Sequence, residues 1–366
     1  MNFEAGDLHH MRHALALAQR AVGMAAPNPA VGCVIVSSDG AVVGRGWTAR
    51  GGRPHAEALA LKQAGDLARG ATAYITLEPC AHYGETPPCA AILAEAGIAR
   101  VVAAIDDPDP RVNGAGLLRL RDGGVAVTTG VGAVEAAALN AGFLARVCRG
   151  RPLVTLKLAQ SIDGRIASAS NESKWITGPE ARAFGHLLRA QSDAILVGVG
   201  TVLTDDPELT CRISGLEDRS PMRVVLDTGL KLHEGSKLAQ TANQVPTLVF
   251  TTSDGGDVLR ERGIQVIKVC RDARGRPAIE AVLAELAERG TTRLLVEGGA
   301  AIHASFLDRG LADRIEVFSN PAILGAAGKA AVDPLAAFTL REAPRFHAVT
   351  TRRFGSDLLV SYVRKD

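Results

Sequence analysis

Hydrophobic positions along the chain follow two alternating periods. Residues 8–22 place Leu8, Met11, Leu15 and Ala18 near one face, the spacing of an amphipathic helix. The segment "AVGCVIVSSDGAVVGRGW" reads as two strands joined at Asp39-Gly40, a tight hairpin turn. The spacing then predicts a helix over 55–68, a strand in "ATAYITL", a helix over 89–96 and a strand in "ARVVAAI". A helix near 116–121, the strand "VAVTT" and a helix near 134–147 complete the block. Strands that alternate with helices need crossover connections, so a mostly parallel sheet covered on both faces is expected.

"CRGRP", at 148–152, is a basic Gly/Pro break and the expected boundary between domains spanning 1–148 and 152–366. The second block opens with the strand "LVTLKLA", followed by a helix over 179–190 and the strands "AILVGVG", "RVVLD" and "TLVFT". A helix over 278–289, the strand "RLLVEGG", a helix over 301–309 and the strand "RIEVF" follow. Neither block contains an internal repeat or a low-complexity tract.

Length supports this division, because 366 residues exceed a typical single core. A net charge of +2 gives no general attraction to nucleic acid or an anionic membrane, and 4% aromatic residues disfavour a base-stacking platform. Six cysteines in the whole chain are too sparse for a disulfide scaffold. The first residues lack the basic start and apolar core of a secretory signal, and no apolar run is long enough for a bilayer. A reducing cytoplasm is the expected setting.

"TLEPCAHYGETPPC", at 76–89, therefore poses a chemical question: disulfide loop, redox pair, metal site or composition alone. Upstream lies "PHAEA", with His55 and Glu57. His55, Cys80 and Cys89 form a zinc-type donor set that leaves a fourth position for water. Glu57 fits the carboxylate that carries protons beside such a site. Residues two apart diverge on a regular helix, so His55 and Glu57 must sit at its first turn. Pro88 suits the first turn of the helix that Cys89 enters, where the backbone dipole favours a thiolate. The order H-x-E then P-C follows the nucleobase-deaminase signature, although eight residues separate the cysteines where the tight signature has two. Two core cysteines with an unrelated histidine, or a structural zinc with His82 as fourth ligand, remain as alternatives. His9 and His13, one turn apart, have a metal-compatible spacing but read as a solvated helix face.

The second block is less explicit. "GVGTVL" begins like a dinucleotide fingerprint, but Leu203 stands where the third glycine belongs. "LLVEGGAAIHASFL" places Gly298-Gly299 between a strand and a helix, which suits a phosphate or a plain strand–helix turn equally. Glu297, Asp205 and Asp206 are acidic groups near strand ends, where open α/β sheets bind ligands.

With those residues in view, "PNPAVGCVIV", "HAEALAL", "TLEPCAHYGETPPC" and "DPDPRVNGAGL" resemble the deaminase half of the bifunctional riboflavin-biosynthesis deaminase–reductases. In that family the longer cysteine spacing is normal. The resemblance implies a cytidine-deaminase-like αβα domain, a bound Zn2+, and 2,5-diamino-6-(5-phosphoribosylamino)pyrimidin-4(3H)-one as substrate, deaminated hydrolytically. It further implies that Asn28 contacts the pyrimidine. Three positions depart from the family pattern: Glu85 in a normally basic slot, Ala115 between two glycines, and Asp109 in "DPDP". They put phosphate recognition in question and leave room for an alternative, a working reductase whose deaminase half has altered phosphate specificity.

"RPLVTLKLAQSIDGRIA", "ESKWITG", "HLLRAQSDAILVGVGTVLTDDPELT" and "LLVEGG" resemble the reductase half, which implies a dihydrofolate-reductase-like α/β fold and NADPH. The expected product is 5-amino-6-(5-phosphoribitylamino)uracil. Carried over by position, Ala159, Trp175, Thr201 and Asp205 would meet the cofactor. The run Gly299, Ala300, Ala301, Ile302, His303, Ala304 and Ser305 would do so too. Ser173, Arg189, Leu209, Arg212 and Glu297 would meet the substrate, and Lys157 matches a position expected to matter for activity. The expected assembly is a homo-oligomer, dimer or tetramer, acting on small phosphoribosylaminopyrimidines.

Overall fold

The structure, a computed structural model, describes residues 4, 6–84, 86–336 and 339–365. It divides into two compact units after Arg151, inside the Gly/Pro break.

The first unit is built on five strands: β1 (Gly32–Val36), β2 (Val42–Trp47), β3 (Thr72–Ile75), β4 (Arg100–Ala103) and β5 (Ala126–Thr129). Their order in the sheet is β2-β1-β3-β4-β5. The pairs β3/β4 and β4/β5 are parallel, whereas β1 pairs antiparallel with both β2 and β3. The expectation of a mostly parallel sheet is thus half right here, because the Asp39-Gly40 turn reverses the chain directly into β2.

Alternation along the strands assigns each face its helices. Val34, Val36, Tyr74 and Val102 pack with α1 (Asp7–Ala18), while Cys33, Ile35, Ala73, Ile75 and Val101 face the other layer. That layer holds α2 (Ala56–Ala64), α3 (Cys89–Glu95) and α4 (Ala115–Asp122). The helix expected over 8–22 stops at Ala18 and tightens into a single turn, Gln19–Ala21. The one expected near 134–147 is two, α5 (Ala133–Leu139) and α6 (Ala141–Arg149). They break at Asn140, whose Oδ1 accepts the Ala30 N–H at 2.9 Å. On β2, a Cβ at Gly46 would lie 2.1 Å from the Ala56 carbonyl, so only glycine lets the first turn of α2 rest directly on the sheet.

The second unit carries β6 (Leu153–Ser161), β7 (Arg165–Ala167), β8 (Ala194–Gly198), β9 (Met222–Leu226), β10 (Thr247–Thr251) and β11 (Gln265–Lys268). β12 (Arg293–Val296), β13 (Arg314–Asn320), β14 (Lys329–Ala330), β15 (Phe346–Phe354) and β16 (Asp357–Arg364) complete it. The main sheet runs β11-β10-β9-β8-β12-β6-β13-β16-β15. The strands from β11 to β13 are mutually parallel, and β16 and β15 extend the edge antiparallel. Buried positions alternate between the faces: Leu196, Val224 and Phe250 pack on one, and Ile195, Val225 and Val249 on the other. No helix among the described residues is long and apolar enough to cross a membrane.

Candidate functional site

The first site lies beyond the C-terminal ends of β3 and β4. His55 does not begin α2 but precedes it as the N-cap, with φ −70° and ψ 159°. Glu57 follows within the first turn and is 4% exposed. The two therefore sit at the helix start that their spacing demands. Pro88 is the N-cap of α3 rather than its first residue, and Cys89 opens that helix. Cys80 comes from the loop after β3. One ligand atom from each of His55, Cys80 and Cys89 lies within 4.8 Å of the others. His55 Nδ1 is 3.3 Å from Cys89 Sγ and 3.7 Å from Cys80 Sγ, and the Cys89 N–H donates to Cys80 Sγ at 3.3 Å. The cysteines are free thiols, not a disulfide.

Electrostatics separates the two sulfurs. Hydrogen bonding from Cys89, and then from His55, pulls Cys80 down to about 4 against the cost of burial. Cys89, the donor to that thiolate and itself buried, is pushed up. The hydrogen bond to Cys80 raises His55. Burial raises Glu57, opposed by the His55 charge. One thiolate, a nearby thiol, an imidazole and a carboxyl able to hold a proton are the groups a catalytic zinc site uses.

A cavity of about 140 Å³ opens over this cluster. Asn28 lines it, with its Nδ2 donating to the Gly52 carbonyl at 3.0 Å. Asp107, Asp109 and Arg111 line it as well, and burial pushes Asp107 up to about 6. Asp109 engages Arg111 through Oδ1 at 2.9 Å and Oδ2 at 2.5 Å. Ala115 is exposed and does not line the cavity, whereas Glu85 lies outside the described residues.

Sequence reasoning missed Glu78, two residues before Cys80. Its carboxylate is 3% exposed and accepts the N–H groups of Asp107, Gly114, Gly116 and Leu117 at 2.9–3.2 Å. It thereby caps α4 and ties the cavity-lining loop to the cysteine loop. No periodicity signals such a role; only its place in "TLEPC" marked it.

In the second unit, Glu297 directly follows β12, and Arg189 projects from α7 (Pro179–Ala190). Arg189 Nε and Nη2 donate to Glu297 Oε1 and Oε2 at 2.8 and 2.9 Å, and Lys157 Nζ of β6 is 3.6 Å from Oε2. Burial works against the Glu297 charge, but Arg189 and Lys157 outweigh it and hold the carboxyl at about 2. These three residues line a cavity of about 590 Å³ together with Ser173 and Trp175. Thr201 and Asp205 of α8 (Val199–Asp205), and Leu209 and Arg212 beyond it, line it too. Asp206 and Leu209 take left-handed φ of 38° and 57°, which turns this segment sharply.

The remaining expected residues fall elsewhere. Ala159 is half-buried in the apolar cluster of Phe318 and Leu359, two residues beyond Lys157 on β6. None of 299–305 lines the cavity. Gly299 caps the helix Ala300–Asp308, and Ala301 and Ile302 keep some exposure. Ala300, His303, Ala304 and Ser305 are buried, and Ser305 Oγ accepts from Arg276. The resemblance assigned this run to the cofactor by position, and position does not reveal which side of the helix turns inward.

A cleft of His, Cys and Cys beside a buried glutamate defines a deaminase-type unit, and a charged cavity at the strand ends of a largely parallel sheet defines a second catalytic unit. Residues 5–105 match the cytidine and deoxycytidylate deaminase zinc-binding region, and residues 152–360 match the RibD C-terminal domain. The chain is 40% identical to the riboflavin biosynthesis protein RibD of Aquifex aeolicus, over 98% of each chain. Acinetobacter baumannii RibD superposes with a TM-score of 0.89 at 36% identity, covering 98% of this chain and 99% of that one. A diaminohydroxyphosphoribosylaminopyrimidine deaminase/5-amino-6-(5-phosphoribosylamino)uracil reductase of Thermotoga maritima gives 0.86 at 35% identity, with the same coverage. The chain belongs to the RibD family: it is a bifunctional deaminase/reductase of riboflavin biosynthesis.

Proposed function

We propose that the first unit holds a catalytic zinc through His55, Cys80 and Cys89 and hydrolyses the 2-amino group of 2,5-diamino-6-(5-phosphoribosylamino)pyrimidin-4(3H)-one. The convergence of these three ligand atoms beside buried Glu57 carries the reading. Zinc there would supply an activated water at neutral pH. Glu57 takes the proton from water and returns it to the departing amine, and its burial suits it to hold that proton. Asn28, fixed by the Gly52 carbonyl, orients the pyrimidine. Ammonia release that persisted undiminished in Glu57→Gln would overturn this assignment.

The second unit then reduces the ribosyl side chain to ribityl. Gly299 suits a nicotinamide cofactor: a Cβ there would meet nothing nearer than Thr201 Oγ1 at 3.9 Å, so the backbone at this helix start stays approachable by phosphate. NADPH would supply the hydride at the sugar C1′. Lys157 donates a proton to the ring oxygen as the ring opens, Glu297 keeps Lys157 in place, and Arg212 takes the phosphate. NADPH oxidation with the deaminated intermediate, lost in Lys157→Ala, is the test. The proposal includes a cytoplasmic homo-oligomer.

Asp109 favours a second reading for the deaminase half, an altered phosphate preference. It places a carboxylate at the cavity and occupies Arg111. Equal turnover of phosphorylated and dephosphorylated pyrimidines would support it, and strong preference for the phosphate would exclude it.

A further inference from the structure

Away from both cavities, α1 gathers a cluster of metal-binding side chains. One ring nitrogen from each of His9, His10 and His13 lies within 4.8 Å of the others. The His9 ring centroid is 5.2 Å from that of His10 and 5.0 Å from that of His13. His10 also packs on the Tyr74 ring at 5.0 Å. Its Nδ1 is buried and has no hydrogen-bond partner among the described residues, a condition that costs free energy until a ligand meets it.

The surroundings favour a cation ligand. Imidazole nitrogens are the commonest protein ligands for such ions, and one from each of three histidines gathers here. Asp7 is already committed to Arg100, the Tyr74 hydroxyl and the Glu4 N–H. The helix beneath is held firmly, with Met11, Ala14 and Ala18 fully buried. Metal–nitrogen bonds of about 2.0–2.1 Å place tetrahedral ligand atoms roughly 3.4 Å apart. Rotation of the exposed His9 and His13 side chains covers the remaining ångström or so.

We infer that His9, His10 and His13 form a second metal site, separate from the catalytic one, that takes a borderline divalent ion such as zinc, nickel or copper through three imidazole nitrogens. Water fills the rest of the coordination shell, because two of the three rings face solvent.

The test uses full-length enzyme holding a single zinc per chain, at the His55, Cys80 and Cys89 site, and titrated with nickel. Equilibrium dialysis with elemental analysis should find one nickel bound per chain with zinc retained, and nickel should raise Tm. In the His9→Gln/His13→Gln double variant both effects should vanish, while deaminase and reductase turnover stay at wild-type levels. A single His10→Gln variant should weaken nickel binding at least tenfold. Nickel uptake that displaces zinc, or uptake unchanged in the double variant, would overturn the inference.

Discussion

Arg189 and Glu297 meet through two parallel hydrogen bonds of 2.8 and 2.9 Å, joining α7 to the residue that directly follows β12. Because that carboxyl is held at about 2, against 4.5 for an ordinary glutamate, it contributes stability above pH 4.5 that is lost as pH falls toward 2. Glu297→Gln leaves Arg189 buried against a neutral amide and should cost about 3–5 kcal/mol at neutral pH. Urea unfolding of wild type and variant at pH 7 and pH 3 should show the gap narrowing at the lower value.

Glu57→Gln should slow ammonia release by about 10²–10⁴-fold, the usual contribution of a positioned proton carrier. Zinc content should not fall, since the substitution leaves His55, Cys80 and Cys89 in place. Metal analysis beside an ammonia assay separates a lost proton carrier from a lost metal.

Cys89→Ser should release zinc, abolish deamination and leave NADPH oxidation intact. Zinc can displace the Cys89 proton only at a cost that rises with acidity, because Cys80 and burial hold that thiol well above its usual range. Zinc affinity measured by competition with a chelator should therefore fall as pH is lowered from 8 to 6.

Gly116→Ala should destabilise the first unit by at least about 1–3 kcal/mol, the usual cost of overpacking. A Cβ at Gly116 would lie 1.9 Å from the Pro79 carbonyl, so one backbone segment or the other must shift to admit it. Thermal unfolding with tryptophan-independent detection, far-UV circular dichroism, reads this directly.

The zinc-type cluster was legible in sequence because its chemistry demands particular residues at helix starts, and His55 and Cys89 sit at such starts. The parallel core strands were legible because they are apolar throughout, as in "AILVG". By contrast, β15 escaped detection: from His347 to Arg353 its residues are exposed, so an edge strand carries no core signal. The sequence reading of the run 299–305 followed family position and could not tell buried Ser305 from exposed Ala301. His10 was passed over because one-turn spacing links His9 with His13 and says nothing about an adjacent residue.

Glu78 gives the first site a shared fate. Its backbone belongs to the turn that carries Cys80, and its side chain holds four amides of the loop and helix beyond β4. Opening either segment alone would leave the buried carboxylate and its four amides without partners, which couples the two energetically. Metal bound at Cys80 would slow hydrogen exchange at Gly116 and Leu117, residues that never touch it.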